Sequence, residues 1–370
     1  MATTPRAIRA HPPKRLAFIC VSLLVIGSFC IAAKAQDFVY QPLFTRVETT
    51  PSDTPSSPPP RPLTDAMATR SDVQRFIKQM AAQHGFSEAQ LTAMFSQIVS
   101  RNDIIAKITR PAEKTKPWRD YRKIFLDEPR IQGGVEFWRA HAKTLERAEQ
   151  IHGVPAEIII AILGVETRYG RITGNDGVLE ALSTLAFDYP KRAPFFRSEL
   201  EHYLLLTREE AIDPLTLSGS YAGAMGLAQF MPSSYRAYAV DFDSDGHRDL
   251  WRNPTDAIGS VANYLSRHGW RRNQAIVVPA TVQGQAYQSL LSQDLKPKYS
   301  VAELRRRAII PQTPADDTKP AILLELLGDN GLEYWLGFDN FYVITRYNHS
   351  PLYAMAVYQL SQAIRRRYAG

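Results

Sequence analysis

The stretch Pro155-Ala-Glu-Ile-Ile-Ile-Ala-Ile-Leu-Gly-Val-Glu-Thr-Arg-Tyr-Gly170 decides the fold. Pro155 suits the first position of a helix, because a proline has no N–H that would be left unpaired there. Gly170 is a typical helix stop. The residues between them are apolar on every face of a helix, which predicts a helix buried inside a core.

Glu166 lies near the carboxyl end of this predicted helix, among apolar neighbours. Burial and the negative end of the helix dipole both disfavour a charged carboxylate, so we expect a raised pKa for Glu166. A carboxylic acid with a raised pKa can donate a proton near neutral pH. The alternative is an exposed glutamate capped by Arg168 or Arg171, and the helix alone does not decide between the two.

The composition is that of a globular protein. The chain has 370 residues, 45% hydrophobic and 22% charged, which is enough for more than one structural unit. Its net charge of +7 comes mostly from the first 35 residues, which hold five basic and no acidic side chains. The remainder balances 39 basic against 37 acidic groups, so nothing favours nucleic-acid binding.

The amino terminus carries an export signal. Basic residues precede an 18-residue apolar run from Leu16 to Ala33, and Ala33-Lys34-Ala35 follows. This pattern predicts a secretory signal peptide over residues 1–35. Because the run is almost long enough to span a bilayer, an uncleaved membrane anchor is the alternative. Both cysteines, Cys20 and Cys30, lie in this segment, so the exported body forms no disulfide.

The rest of the chain predicts an α+β fold that is predominantly α-helical. The predicted units are a Pro/Ser/Thr-rich linker (36–69), a helical domain (70–152), a core around the buried helix (153–270), a small inserted β domain (271–342) and a carboxyl-terminal segment whose helix packs back on the core (343–370). Within these units we expect one long helix from Val135 to His152. Short β-like runs are expected at 275–282, 322–327 and 342–345.

A glycine-rich loop follows the core helix, in the sequence Gly219-Ser-Tyr-Ala-Gly-Ala-Met-Gly-Leu-Ala-Gln-Phe-Met-Pro232. Gly223 and Gly226 leave backbone open to close approach by a ligand. Ser220 and Gln229 offer hydrogen bonds that suit sugar hydroxyl and acetamido groups. The alternative is a tight loop whose small residues only allow helices to pack.

An acidic loop, Asp241-Phe-Asp-Ser-Asp-Gly-His-Arg-Asp249, matches the start of an EF-hand calcium loop. Arg252 stands where the loop normally has its last glutamate, so an acid from the next helix would complete the site. We predict a structural Ca²⁺ and no organic cofactor; the alternative is an acidic surface turn. The predicted ligands are Asp241, Asp243, Asp245, the carbonyl oxygen of His247 and Asp256.

Four tyrosines and one asparagine form a last group of candidates: Tyr121, Tyr264, Tyr347, Tyr353 and Asn348. Tyrosine rings are good platforms for pyranose rings, and their hydroxyls add polar contacts. The alternative for each of them is an ordinary core tyrosine.

Four motifs together resemble one known family, and they occur in the same order. They are Gly-Val-Glu-Thr-Arg-Tyr-Gly, the glycine-rich loop, the acidic loop and Ile-Thr-Arg-Tyr-Asn-His-Ser. Over residues 70–370 the chain is similar to the lytic murein transglycosylase B family of bacterial periplasmic enzymes. The resemblance implies a lysozyme-like core with a flanking helical domain, a small β domain and a deep peptidoglycan groove.

The resemblance also implies roles for individual residues. Glu166 matches the family's sole catalytic acid and base, and Lys191-Arg192 matches a basic pair near the peptide stems. Groove positions correspond to Tyr121, Ser220, Gln229, Tyr264, Tyr347, Asn348 and Tyr353. Implied partners are peptidoglycan glycan strands and proteins of cell-wall synthesis or division. The chain departs from the family in offering no clear lipidated cysteine and in an extra residue before Asp256.

The presence of a single candidate carboxylate, Glu166, changes the reaction mechanism that we expect. Ordinary glycosidases use two, and the nearest second candidates here are Asp188 and Asp213. A lone acid suits a lytic transglycosylase that cleaves between N-acetylmuramic acid and N-acetylglucosamine and leaves a 1,6-anhydro end. The alternatives are a lysozyme-type hydrolase and a non-catalytic, calcium-dependent wall-binding protein.

Overall fold

The computed structural model describes residues 66–109, 116–291 and 294–370. The predicted signal peptide or anchor lies outside the described residues, as does the predicted linker up to residue 65. The last residues assigned to the linker are structured, because Met67–Thr69 form a 3-10 turn with Met67 fully buried. The described chain is mostly helical with one small sheet, which confirms the predicted fold class.

In the described part of the chain, the α-helices before the core helix are α1 (Ser71–His84), α2 (Glu88–Phe95), α3 (Asn102–Thr109), α4 (Trp118–Tyr121), α5 (Glu128–Ala140) and α6 (Ala142–His152). The prediction of one helix from Val135 to His152 is wrong. The break lies at His141, which leaves the helical conformation (φ −119°, ψ 23°) and packs its ring 4.5 Å from that of Phe137. Upstream, α5 begins earlier than expected because Asp127 caps it, accepting from the Arg130 N–H at 2.8 Å.

The core helix α7 spans Ala156–Thr167, and all twelve of its residues are buried. The predicted buried helix is confirmed, but its ends differ from the prediction. Pro155 is the cap rather than the first helical residue. The helix stops three residues before Gly170, because Arg168 and Tyr169 already adopt left-handed conformations (φ 52° and 62°).

The elements around the glycine-rich loop are β1 (Asp176–Gly177), α8 (Val178–Asp188), α9 (Ala193–Glu209), β2 (Ser218–Gly219), α10 (Pro232–Tyr238) and α11 (Pro254–Arg267). Strands β1 and β2 pair antiparallel, with Asp176 opposite Gly219. This short ladder ties the start of the glycine-rich loop to the segment that follows α7.

The inserted sheet contains β3 (Val277–Val282), β4 (Tyr299–Ser300), β5 (Ile309–Pro311), β6 (Pro320–Gly328) and β7 (Gly331–Gly337), with α12 (Val301–Arg306) between β4 and β5. The antiparallel strands follow the order β4-β6-β7-β3-β5. One face of β6 holds Leu323, which packs into a small core of its own. Its other face holds Ile322 and Leu324, which join the main core.

The chain ends in α13 (Asp339–Tyr347) and α14 (Pro351–Ala369). The predicted β-like run at 342–345 is therefore wrong, although the runs at 275–282 and 322–327 contain strands. Val343, Ile344 and Thr345 are consecutive buried residues of a helix. Their β-branched side chains suit a strand locally, but packing of α13 against α14 overrides that preference.

Within the described residues, no single helix has the length and apolar character needed to cross a membrane. Helices α6 and α7 satisfy that test only as a pair, and they meet at a bend of 113°.

Candidate active site

Glu166 occupies the last turn of α7 with only 2% of its surface exposed. The hydroxyl of Tyr353 donates a hydrogen bond to its Oε1 atom over 2.6 Å. Tyr353 is itself fully buried near the start of α14. Its backbone N–H donates to the hydroxyl of Ser350, the cap of that helix, at 3.3 Å. The fold thus brings together two side chains that lie 187 residues apart.

The alternative of an exposed, arginine-capped Glu166 is wrong. Arg168 faces Asp127 at 3.4 Å, and Arg171 faces Glu136 at 3.7 Å. Both arginines therefore pair with acids of α5 or of the turn before it, and the Glu166 side chain is buried inside the protein.

An aromatic cluster adjoins the carboxylate through Tyr353. The rings of Tyr347 and Tyr353 are nearly parallel with centroids 6.5 Å apart, and Tyr264 meets Tyr347 edge-on at 4.9 Å. Phe230 packs 5.5 Å from Tyr264 and 5.8 Å from Tyr347. Phe230 was not among the predicted residues, although it directly follows Gln229 in the glycine-rich motif.

The cluster is electrically neutral at neutral pH. Burial raises the pKa of Tyr347 well above its usual value, and the negative charge of Glu166 raises it further. Burial likewise raises the pKa of Tyr264. Both hydroxyls act as donors to backbone carbonyls, Tyr347 to Ala228 at 2.6 Å and Tyr264 to Arg346 at 2.5 Å.

Asn348 follows directly after α13 and is completely buried. Neither atom of its side-chain amide has a hydrogen-bond partner among the described parts of the chain. A buried amide without partners is costly and rare in native proteins. This amide can therefore serve a polar ligand, as the predicted groove role requires.

The two polar side chains predicted in the glycine-rich loop form hydrogen bonds with backbone groups of the protein. The Ser220 hydroxyl accepts from the N–H groups of Ala222 and Ala224 at 3.2 and 2.9 Å. Gln229 has a left-handed backbone (φ 49°), and its Nε2 donates to the carbonyls of Thr173 and Gly226 at 3.0 and 2.8 Å. These bonds fix the loop, and contact of the two side chains with sugar stays a prediction.

The loop is also attached to the end of α7. The Thr167 hydroxyl donates to the Leu227 carbonyl at 3.0 Å. Gly226 has φ 67°, and a Cβ there would lie 2.3 Å from the Leu250 carbonyl oxygen. Only glycine allows this close approach, so the small residues of the loop have a packing role as well.

Tyr121 belongs to α4 and is 1% exposed. Its ring packs 5.2 Å from that of Phe125, and the guanidinium of Arg130 lies 5.2 Å from the same Phe125 ring. Arg130 in turn donates from Nε to the Gly164 carbonyl in α7 at 3.0 Å. Sequence analysis missed Arg130, and the available signal was an arginine in helical register with apolar Phe137 on α5.

The predicted basic pair lies apart, on the connection between α8 and α9. Lys191 is exposed in a 3-10 turn. Arg192 lies over the rings of Phe195 and Phe196 at 4.4 and 5.5 Å, and burial lowers its pKa. Contact of this pair with peptide stems stays a prediction.

The two other candidate carboxylates, Asp188 and Asp213, form hydrogen bonds with residues other than Glu166. Asp188 accepts from Arg70 at 2.7 Å and from the Ser100 hydroxyl at 2.6 Å. Asp213 is exposed in a turn, where its side chain accepts from the Leu215 N–H at 3.0 Å. Neither is a natural second carboxylate for Glu166.

The acidic loop gathers three of the predicted ligands. Carboxylate oxygens of Asp241, Asp243 and Asp256 lie within 4.8 Å of one another. Asp256, the position left in doubt by the extra residue, is fully buried and accepts from backbone N–H groups at 2.7 and 2.8 Å. Burial raises its pKa, and the charges of Asp243 and Asp241 raise it further. Three converging carboxylates fit a hard cation such as Ca²⁺.

Two predicted ligands are not part of this group. Asp245 is exposed, and its Oδ1 accepts from the His247 N–H at 2.9 Å. The His247 carbonyl belongs to the same exposed turn. Their ligation of a metal stays a prediction.

Comparison with known proteins identifies the family of the chain. Residues 68–362 match the transglycosylase SLT domain family. The chain is 47% identical over 306 residues to the membrane-bound lytic murein transglycosylase B of Escherichia coli K12, covering 80% of this chain and 83% of that protein.

Two solved structures extend the comparison. The Escherichia coli lytic transglycosylase Slt35 in complex with calcium is 46% identical, with a TM-score of 0.76 over 83% of this chain and 97% of that one. SltB3 of Pseudomonas aeruginosa in complex with NAG-NAM-pentapeptide is 30% identical, with a TM-score of 0.70 over 79% and 78%. The resemblance seen in the sequence is thereby confirmed, and the chain belongs to the transglycosylase SLT domain family of lytic murein transglycosylases.

Proposed function

We propose that Glu166 is the single acid and base of a lytic transglycosylase reaction on peptidoglycan. The observation that carries this proposal is a nearly inaccessible carboxylate at the end of α7, held by the Tyr353 hydroxyl at 2.6 Å. Burial favours the protonated carboxylic acid, whereas the tyrosine hydrogen bond favours the carboxylate. These opposed influences suit a group that must give up a proton and later take one back.

In the first step, protonated Glu166 donates to the glycosidic oxygen between N-acetylmuramic acid and N-acetylglucosamine. The bond from that oxygen to C1 of the muramoyl residue breaks, and the leaving sugar departs with a free hydroxyl. The substrate's own acetamido group stabilises the positive charge at C1, so no second carboxylate of the protein is needed.

In the second step, ionised Glu166 takes the proton of the muramoyl 6-hydroxyl. That oxygen attacks C1 of its own ring and forms the 1,6-anhydro bond. Glu166 ends the cycle protonated, and no water is consumed.

The aromatic cluster and Asn348 supply the polar and stacking surface that the sugars require. We assign Asn348 the most direct role, because its buried amide has no partner among the described residues. Tyr347, Tyr264, Tyr353 and Tyr121 would contribute further groove positions, as the family resemblance implies. Ser220 and Gln229 shape the loop next to it, and the pair Lys191-Arg192 would meet the carboxylates of peptide stems.

The acidic loop is proposed as a structural calcium site. The E. coli Slt35 structure contains calcium, and the three carboxylates gathered here fit that ion. Asp256 lies in the first turn of α11, so a bound ion would fasten that helix to the loop. Asp245 and the His247 carbonyl would complete the oxygen ligands.

Cellular placement follows from the export signal and the relative. A basic, apolar amino-terminal segment and a relative described as membrane-bound both indicate a cell-envelope enzyme. We propose a periplasmic location, with partners among proteins of cell-wall synthesis or division.

The test is a pair of substitutions in one helix. Glu166→Gln should lower peptidoglycan lysis by about 10³-fold, within the range for loss of a general acid. Glu157→Gln is the matched control, because Glu157 is a buried glutamate at the opposite end of α7, paired with Arg365 at 3.1 Å. Lysis is measured on purified sacculi, and folding by circular dichroism.

Product mass separates the rival functions. A transglycosylase gives anhydro muropeptides, each lighter by one water than the products of a lysozyme-type hydrolase. Reducing-end products alone would overturn the transglycosylase assignment. Full lysis by Glu166→Gln would remove Glu166 from the mechanism, and sacculus binding without any lysis in the native protein would favour the wall-binding alternative.

A further inference from the structure

Arg130 is a buried cation that the reaction as proposed does not use. It lies in the first turn of α5 and is 4% exposed. Its Nε donates to the Gly164 carbonyl at 3.0 Å, and its Nη1 donates to the Ile124 carbonyl and contacts Asp127 Oδ2 at 3.2 Å. Gly164 is two residues before Glu166 in the same helix.

The same guanidinium reaches the segment that carries Tyr121, which the family resemblance assigns to the groove. It lies over the Phe125 ring, which packs on the Tyr121 ring. One side chain therefore holds both the helix that carries Glu166 and the segment that carries Tyr121.

The Arg130 backbone is fixed as well. Its carbonyl accepts from the Tyr169 hydroxyl at 2.7 Å. Cβ atoms added at Gly164 and Gly134 would lie 2.5 and 2.7 Å from that hydroxyl, so the tyrosine fits tightly between α5 and α7. Packing this tight leaves little freedom for the guanidinium.

The chemistry of the contacts requires arginine. A guanidinium presents five donors in a rigid plane, whereas a lysine ammonium is a single point on a flexible stem. Lysine can reach one of the two carbonyls but cannot bridge both and cover a ring at once.

We propose that Arg130 is a positioning residue that sets the placement of Glu166 relative to Tyr121. The inference rests on the proposed function, because it assigns Glu166 to the chemistry and Tyr121 to the substrate. Removing the bridge would let the two walls of the groove shift. A misplacement of about 1 Å can cost a hundredfold in rate even when the mutated residue is far from the chemistry.

The experiment measures kcat and KM on soluble peptidoglycan glycan strands. Arg130→Lys should lower kcat about tenfold and raise KM several-fold, because both walls move. A merely structural role would lower the amount of folded enzyme, and hence the maximal rate, at unchanged KM. The matched control is Arg197→Lys, because Arg197 also donates to a carbonyl, that of Ala186 at 3.1 Å, and lies 5.5 Å from the Phe187 ring.

Asp127→Asn keeps the test decisive if Arg130→Lys does not fold. Asparagine retains an oxygen for the cap of α5 but loses the charge that holds Nη1, so we expect about a threefold change in both constants. Native kcat and KM in every folded variant of the two would overturn the inference. Glu166→Gln is assayed alongside: if that variant is active the proposed function fails, and if it is inactive only the Arg130 inference is at stake.

Discussion

Two regions of the molecule place carboxylates in opposite surroundings. At the end of α7 one carboxylate, Glu166, is buried and accepts a hydrogen bond from the Tyr353 hydroxyl. In the acidic loop three carboxylates, from Asp241, Asp243 and Asp256, come within 4.8 Å of one another. The first arrangement separates a single charge from water, whereas the second concentrates like charges.

This difference decides what each region can do. A lone buried acid can exist in both protonation states, because its ionised form is disfavoured by burial but favoured by a hydrogen bond. Clustered carboxylates repel one another until a cation neutralises them. The first region suits proton transfer, and the second suits ion binding.

The largest expected effect comes from breaking the hydrogen bond of the lone acid. Tyr353→Phe removes the donor to Glu166 and keeps the ring, so kcat should fall about 10- to 100-fold, as for loss of a hydrogen bond to a charged group. The melting temperature should also fall by a few degrees, because a buried carboxylate loses a hydrogen-bond partner. Tyr358→Phe, on the same helix, is the control, and kcat and melting temperature are measured for both. An unchanged kcat in Tyr353→Phe would show that the hydroxyl does not tune Glu166.

The next largest effect is expected in the acidic loop, where calcium binding should raise the free energy of unfolding. At a Ca²⁺ concentration a hundredfold above Kd, binding adds about 2.7 kcal/mol, which corresponds to roughly 5 °C in the melting temperature. Removing calcium with a chelator should reverse this, and Asp256→Asn should abolish the response to calcium.

The control for the acidic loop is Asp316→Asn, which changes an exposed aspartate that accepts from Thr318 in a turn. That variant should keep the full calcium response. A native protein whose melting temperature is the same with calcium and with chelator would contradict a structural calcium site.

The sequence predicted some parts of the two regions better than others. Both rest on local patterns, an all-apolar helix ending in Glu166 and an alternation of aspartates around a glycine. Such patterns report what a segment can form by itself, and they located the core helix and three of the metal candidates. Tyr353 was singled out as a possible platform for a sugar ring, but its contact with Glu166 was not predicted, since the two residues lie 187 positions apart.

Other features depended on packing that no local pattern encodes. The segment 342–345 has β-branched residues but forms a helix, because its neighbour α14 buries it. Arg130 resembles any arginine of an amphipathic helix until the fold places the Gly164 carbonyl beside it. Residues that position a site through distant backbone groups are therefore the ones a single sequence conceals.

A further buried carboxylate, outside both regions, sharpens the comparison. Glu199 on α9 is 4% exposed and accepts from the N–H and hydroxyl of Ser233 at 2.9 and 2.7 Å. Burial raises its pKa above the ordinary value, although the Ser233 hydrogen bonds oppose that change. It thus resembles Glu166 in being single and buried, but the proposed reaction does not involve it.

Glu199→Gln should give the smallest effect, and one that depends on pH. Because the pKa is higher in the folded state, the native glutamate contributes stability below its unfolded pKa of about 4.3 and loses that contribution as pH rises through the folded value. Glutamine does not titrate, so its melting temperature relative to the native protein should rise between about pH 4 and pH 7. Thermal melts across that range, with the exposed Glu146→Gln as control, measure the difference. A constant difference would mean that the Ser233 hydrogen bonds offset burial completely, so that the pKa of Glu199 is the same in the folded and unfolded states.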